Sequence, residues 1–291
     1  MINVKKVKYK IKNFFILEKI KNYNVYFIVS KESTGTNFME SFLNAASDDF
    51  FCVHEPNTDL KVYLKKIRDK KSSVFISEQI KKIRYPILKE SLNLDKRKYV
   101  ESNPFATFLI PKLKQTFKHI KFVFIYRDLD TYLLSALNKS PLGNDVNNFY
   151  AASDGRKRPC PPDFENDKYV HEWSELSRAQ KISWYWNKCN LYLRTFAKEN
   201  TSQVLELKFE DLFSKDKEMK KAALTKLFSF ISIEVSDTKL NELLVTTSEK
   251  RNQTQEKFYS SLNELTHVEL EWINTISKDF KTELGYPQFH K

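Results

Sequence analysis

Apolar residues along the chain fall into short continuous runs separated by stretches in which they recur at helical spacing. Val25 to Val29 is a run of five, rich in β-branched and aromatic types, and reads as a buried strand. A small polar turn, Ser30 to Thr36, follows. Then Phe38, Met39, Phe42, Leu43 and Ala46 recur at helical spacing, which predicts an amphipathic helix from Asn37 onward. Asp49 to Val53 reads as a short strand ending in His54-Glu55-Pro56-Asn57. Leu60, Tyr63, Leu64 and Ile67 mark a helix with a basic outer face. Val74 to Ile76 reads as a minor strand, and Ile80, Ile83 and Leu88 as helical packing interrupted near Pro86. Tyr99-Val100 leads into Glu101-Ser102-Asn103-Pro104, and Phe105 to Phe117 is a predicted helix bent by Pro111. Phe122 to Tyr126 is the second strong buried strand; it ends in Arg127-Asp128, with a helix from Leu129 to Asn138.

Residues 139–170 change character. They hold Pro141, Gly143, Gly155, Pro159, Pro161 and Pro162 and a basic knot, Arg156-Lys157-Arg158. A long excursion of this kind is either a substrate-side loop or disordered. Beyond it come a long helix, Ser174 to Ala197, carrying Trp184 and Trp186, and a third strand, Val204 to Leu207. Helices over 216–231 and 237–246 are followed by a polar stretch, Thr247 to Leu265. A final helix opens in the capping box Thr266-His-Val-Glu269 and ends at Gly285. Strands alternating with helices predict an α/β, three-layer architecture: a mostly parallel central sheet flanked by helices. No repeat or Pro/Gly-rich linker divides the chain, so residues 1–291 are expected to form a single domain.

Composition narrows the partners. Net charge is +12, from 49 basic and 37 acidic residues, which suits an anionic partner without choosing among a phosphorylated cofactor, an acidic substrate, a membrane surface and a nucleic acid. The cysteines, Cys52, Cys160 and Cys189, are odd in number and widely spaced, the usage of reduced thiols in a cytoplasmic setting. No CxxC or HExxH spacing is present, so no metal site is expected. No apolar run approaches the ~18 residues of a membrane span. Residues 1–22 form a basic N-terminal segment whose apolar part, Phe14 to Leu17, is too short for a signal-peptide core.

The first turn carries the candidate chemistry. Gly35 is the first of four glycines, the next being Gly143. A chain so poor in glycine uses one where the backbone bends sharply or is closely approached. Strand, hydroxyl-rich glycine turn and helix is the layout of a phosphate-binding loop, because a helix N-terminus offers unpaired N–H groups and a partial positive charge. An ordinary tight strand-to-helix connection is the other reading of the same stretch.

Three segments together, Ser30 to Met39, Glu101-Ser102-Asn103-Pro104 and Phe122 to Ser135, resemble the sulfotransferase family in order and spacing. Trp184-Tyr-Trp-Asn187, Val204 to Leu212 and Leu284-Gly285-Tyr286 extend the match over roughly residues 23 to 286. His54-Glu55-Pro56 resembles the corresponding turn of bacterial-type members. The resemblance implies a P-loop-type fold and transfer of a sulfuryl group from 3′-phosphoadenosine 5′-phosphosulfate (PAPS), with 3′,5′-ADP (PAP) as the product nucleotide and no metal. It also implies an acceptor hydroxyl or amine: a carbohydrate, a lipid headgroup, a small alcohol or a peptide tyrosine. No nucleic-acid partner is expected. One departure stands out. The family loop carries Lys or Arg directly before a Ser/Thr-Gly pair, whereas Thr34-Gly35 is preceded by Ser33 and the nearest basic residue is Lys31.

On this resemblance, Ser33, Thr34, Gly35, Thr36 and Asn37 hold the 5′ end of the nucleotide, and Lys31 neutralises the oxygen bridging phosphorus and sulfur. Arg127 and Ser135 clamp the 3′-phosphate, and Lys250 and Arg251 belong to a loop closing over the cofactor. Arg127 paired with Asp128 or Asp130, and a solvated basic loop at 250–252, are the alternative readings. Glu55 or His54 is the candidate base; a helix cap and a packed ring are the alternatives. Glu101 and Ser102 either contact the cofactor or cap the next helix. Of Trp184 and Trp186, which cannot share a helix face, one is expected in the core and one at the acceptor pocket. A P-loop kinase would need Gly-x4-Gly-Lys-Ser/Thr, which is absent, and a nucleic-acid or membrane-surface binder would rest on charge alone.

Overall fold

The computed structural model describes residues 18–56, 73–139, 149–152, 154, 158–246 and 258–288. In chain order the main elements are β1 (Asn24–Ser30), α1 (Thr36–Ala46), β2 (Phe50–His54), α2 (Ser73–Asn93), β3 (Lys98–Ser102), a 3-10 turn (Pro104–Leu109), α3 (Ile110–Thr116), β4 (His119–Tyr126) and α4 (Leu129–Leu137). After the 3-10 turn Pro161–Asp163 come α5 (Arg178–Glu199), β5 (Val204–Lys208), α6 (Phe209–Leu212), α7 (Lys217–Phe230), α8 (Asp237–Thr246) and α9 (His267–Glu283).

The five described strands form one sheet in the order β2-β3-β1-β4-β5, and every neighbouring pair is parallel. A parallel sheet is covered on both faces, so its strands are apolar on both sides. In β1 the period-2 alternation divides the two layers. Val25, Phe27 and Val29 pack with α2, α3, α4, α5 and α9, while Tyr26 and Ile28 pack with α1, α7 and α8. The sequence expectation of a three-layer α/β fold is met.

Topology positions the site. From the central β1 the chain runs out to the edge strand β2, returns through β3 and crosses β1 to reach β4. The strand order therefore reverses at β1, and ligands of open α/β sheets bind at such a point, beyond the carboxyl ends of the strands. Because all five strands are parallel, the segments after Ser30, His54, Ser102, Tyr126 and Lys208 share that edge.

Two local expectations change. Val74 to Ile76 is not a strand but the start of α2, which continues through Pro86 without interruption. Its buried stripe is Ile76, Ile80, Arg84 and Leu88, four apart each time. The predicted helix Phe105 to Phe117 is a 3-10 turn followed by α3, with Pro111 in the first turn of α3, where a missing N–H costs nothing. The predicted helix around Leu60 to Ile67 lies outside the described residues, as do most of residues 1–22 and part of 139–170. No described helix is long and apolar enough to cross a membrane.

Candidate active site

The turn between β1 and α1 is built on two left-handed residues, Ser33 (φ 67°) and Gly35 (φ 78°). Gly35 is the N-cap of α1, and no side chain caps the helix or places an acidic group in its first turn. The first N–H groups of α1 are thus presented without a capping side chain. A Cβ on Gly35 would stand 2.6 Å from the Phe213 ring, so the residue that closely approaches this glycine is Phe213. The Thr34 hydroxyl is buried and donates to the Lys31 carbonyl at 2.6 Å while touching the Ser30 hydroxyl. It shapes the turn from within. Thr36 is buried and Asn37 is exposed at the start of α1.

Arg127 leaves β4 beside this turn. Its Nη1 donates to the Ser33 carbonyl at 2.5 Å, its Nε to Thr131 Oγ1 at 3.1 Å and its Nη2 to the Thr131 carbonyl at 3.0 Å. The Phe209 ring lies 4.6 Å from the guanidinium carbon. No ion pair joins Arg127 to a carboxylate among the described residues. The alternative partners are engaged elsewhere: Asp128 caps α4 through the Asp130 N–H, and both aspartates face Lys281. Its hydrogen bonds go to neutral acceptors; burial lowers its pKa below the usual value, while the Glu210 and Asp128 charges act on it from a distance. The backbone at this point is fixed from two sides. Trp186 Nε1 donates to the Arg127 carbonyl at 2.9 Å, and the Asp128 N–H donates to Glu210 at 3.0 Å. Ser135 is half-buried on α4, one turn beyond Thr131 on the same helix face. Arg127, Thr131 and Ser135 therefore follow one line from the turn.

Lys31 sits differently from what its sequence position suggests. It is 2 % exposed, pairs with Glu32, and its Nζ stands 3.3 Å above the Tyr185 ring, with the Phe149 and Tyr132 rings at 5.5 and 5.8 Å. Burial pulls its pKa down to about 8, against the opposing pull of Glu32. Burial alone would raise Glu32; the charges of Lys31 and of Arg158, its second partner, outweigh this and hold the carboxyl well below its usual range.

His54 and Glu55 end the edge strand β2. In register, His54 pairs with Ser102 and Ser102 with Ile28, so the pair stands two strand spacings, roughly 9–10 Å, from β1. The Ser102 carbonyl receives His54 Nδ1 at 2.9 Å and the Glu55 N–H at 3.1 Å. With Nδ1 as donor, His54 turns Nε2 toward Glu55, 3.5 Å from Oε1. Glu55 adopts φ 41°, a left-handed conformation that non-glycine residues rarely take, in the turn that follows β2.

The Glu101-Ser102 pair divides its tasks. Glu101 is fully buried and bonded to Arg84, Tyr99 and Asn103. Ser102 donates its hydroxyl to the Thr36 carbonyl at 2.7 Å, and it is Asn103 that caps the 3-10 turn. Both tryptophans are buried. Trp186 is in the main core, and Trp184 joins Phe164 and Trp173 in an aromatic cluster beside α5. Lys250 and Arg251 lie outside the described residues. Sequence reasoning missed Thr131, Glu32, Arg158, Phe209 and Phe213. Phe209-Glu-Asp-Leu-Phe213 carried the one available signal, two aromatics four apart after a strand.

No protein-family model matches the chain, and a search of curated proteins finds no match. Among solved structures, mouse sulfotransferase SULT7A1 complexed with PAP aligns over 93% of this chain and 91% of its own, with a TM-score of 0.51 and 13% identity. Sulfotransferase STF9 from Mycobacterium avium aligns over 98% and 82%, with a TM-score of 0.52 and 11% identity. With its glycine turn after the central strand of an all-parallel sheet flanked by helices, the chain has the sulfotransferase fold.

Proposed function

We propose that this protein is a sulfotransferase that moves a sulfuryl group from PAPS to a hydroxyl or amine of an acceptor. The observation that carries the reading is Arg127, a guanidinium without an ion-paired carboxylate among the described residues, bonded at once to the glycine turn through Ser33 and to α4 through Thr131. Such a fork suits a phosphate placed between the turn and α4.

The residues fit the nucleotide. Uncapped amides at the start of α1, with the Ser33 and Thr36 hydroxyls, would hold its 5′ end, and Arg127 with Ser135 its 3′-phosphate. When bound, PAPS would supply the sulfuryl group and a stable phosphate leaving group. Lys31 is near enough in the chain to neutralise charge there, once it exchanges Glu32 for the anion. Glu55, with His54 Nε2 3.5 Å from its carboxylate, would take the acceptor proton. Phe164 and Trp173, half-buried against the buried Trp184, would be the apolar side chains that meet the acceptor. Lys250 and Arg251 remain candidates for the cofactor loop, and the whole chain is proposed to act as one domain.

PAP should raise the melting temperature, because a ligand bound only by the folded state stabilises it by mass action, about 2.7 kcal/mol at a hundredfold excess over Kd. Sulfuryl transfer should persist in EDTA. No melting shift at millimolar PAP in low salt contradicts the proposal, and activity that EDTA abolishes and magnesium restores favours a kinase instead.

A further inference from the structure

The turn after β1 contains a carboxylate, a repulsive neighbour for a bound phosphate. Glu32 is buried, and among the described residues two cations face it: Lys31 Nζ at Oε2 and Arg158 Nη1 at Oε1. Arg158 comes from the substrate-side segment, 126 positions along the chain. It is anchored there independently. Its Nε donates to Asp154 at 2.8 Å, its guanidinium carbon stands 4.0 Å over the Phe149 ring, and Asp154 also accepts the Tyr150 N–H at 2.7 Å. Among the described residues Lys31 has no such second anchor; beyond Glu32 its Nζ faces the Tyr185, Phe149 and Tyr132 rings.

We propose that Arg158 is a positioning residue for the anion-binding turn: it keeps Glu32 neutralised, so that Lys31 can leave the carboxylate and meet a phosphate. This rests on the sulfotransferase reading above. If Lys31 were the only partner of Glu32, its departure would strand a buried charge, which is strongly unfavourable. With Arg158 in place the carboxylate keeps a charge-assisted pair throughout. The exchange then moves one flexible ammonium from a carboxylate oxygen to a phosphate oxygen. An acidic residue in the turn is tolerated because a distant segment neutralises it.

Titration of PAP and 5′-AMP into the wild type, Arg158→Met, Glu32→Gln and the double variant tests this. Arg158→Met should weaken both nucleotides by the same factor, about tenfold or more, because they share the 5′-phosphate that Lys31 would meet. Glu32→Gln in that background should restore most of the loss, since no carboxylate then holds Lys31. Arg158→Lys, which keeps a cation beside Glu32 and guards against misfolding of the Met variant, should stay within a fewfold of wild type for both. Failure of the double variant to recover overturns the inference, because Arg158 would then bind the nucleotide itself. A loss confined to PAP, or unchanged affinities with a lowered Tm, also overturns it. Wild-type protein that binds neither nucleotide refutes the sulfotransferase reading and this inference together; the other contrary outcomes refute the inference alone.

Discussion

Ser102 donates its hydroxyl to the Thr36 carbonyl at 2.7 Å, and through that bond β3 holds the first turn of the helix that opens at Gly35. The Ser102 carbonyl at the same time receives His54 and Glu55. One residue therefore ties the proposed base to the proposed anion site. Ser102→Ala should cost about 1 kcal/mol, a Tm fall of roughly 2–4 °C, since a single buried hydrogen bond is lost. It should also weaken PAP binding. Unchanged affinity beside the expected Tm fall would make the bond a matter of stability alone.

Glu55→Gln should lower kcat far more than it changes PAP affinity, because a base acts on the acceptor and not on the nucleotide. Steady-state kinetics with parallel PAP titration separate the two. If Glu55→Gln turns over normally and His54→Ala does not, the two exchange roles. If neither matters, the φ of Glu55 reflects the turn that ends β2 and nothing more.

Lys31 sets a pH dependence of definite sign. Burial lowers its folded pKa to about 8, below the unfolded value of 10.5. In the free enzyme the charged ammonium that would meet the phosphate is lost as pH rises through about 8, so kcat/KM should fall there. Between about 8 and the unfolded value the unfolded chain binds more protons at this site, so the contribution of Lys31 to stability rises with pH over the same window. Falling rate with this group's stabilising contribution rising separates its titration from alkaline unfolding. Lys31→Met should be slow at every pH and lack the limb. A wild-type kcat/KM that is flat from pH 7 to 9 would remove Lys31 from the mechanism.

The parts legible in the sequence are those where one element carries its own signal. β1 and β4 stand out because buried parallel strands are continuous apolar runs, and Arg127 stands out because it directly follows one. Val74 to Ile76 reads as a strand because it is a continuous apolar run, yet only Ile76 of the three is buried, and the inward stripe it begins runs on through the charged Arg84. Its partner Glu101 is 17 residues away, and only the fold brings the two together, fully buried. Glu32 and Arg158 escape for the same reason on a larger scale. Each reads alone as a surface charge, and the pair exists only once the segment before Pro161 folds against the turn. Thr131 was passed over because exposed threonines at the start of a helix are ordinary; its meaning comes from Arg127.

The most direct test of the central claim compares PAP with 5′-AMP in Arg127→Ala. The two ligands differ by the 3′-phosphate, and Arg127 is proposed to grip that group while touching the 5′ side only through the Ser33 carbonyl. Hydrogen bonds to charged groups contribute about 1.5–3 kcal/mol, so PAP should bind roughly ten- to a hundredfold more weakly. Binding of 5′-AMP should weaken a fewfold at most, from the loss of the tie to the turn. Arg127→Lys should recover only part of the PAP affinity, because a point charge cannot reproduce the fork. Equal losses for PAP and 5′-AMP would contradict the account, since Arg127 would then support the turn without reading the 3′-phosphate.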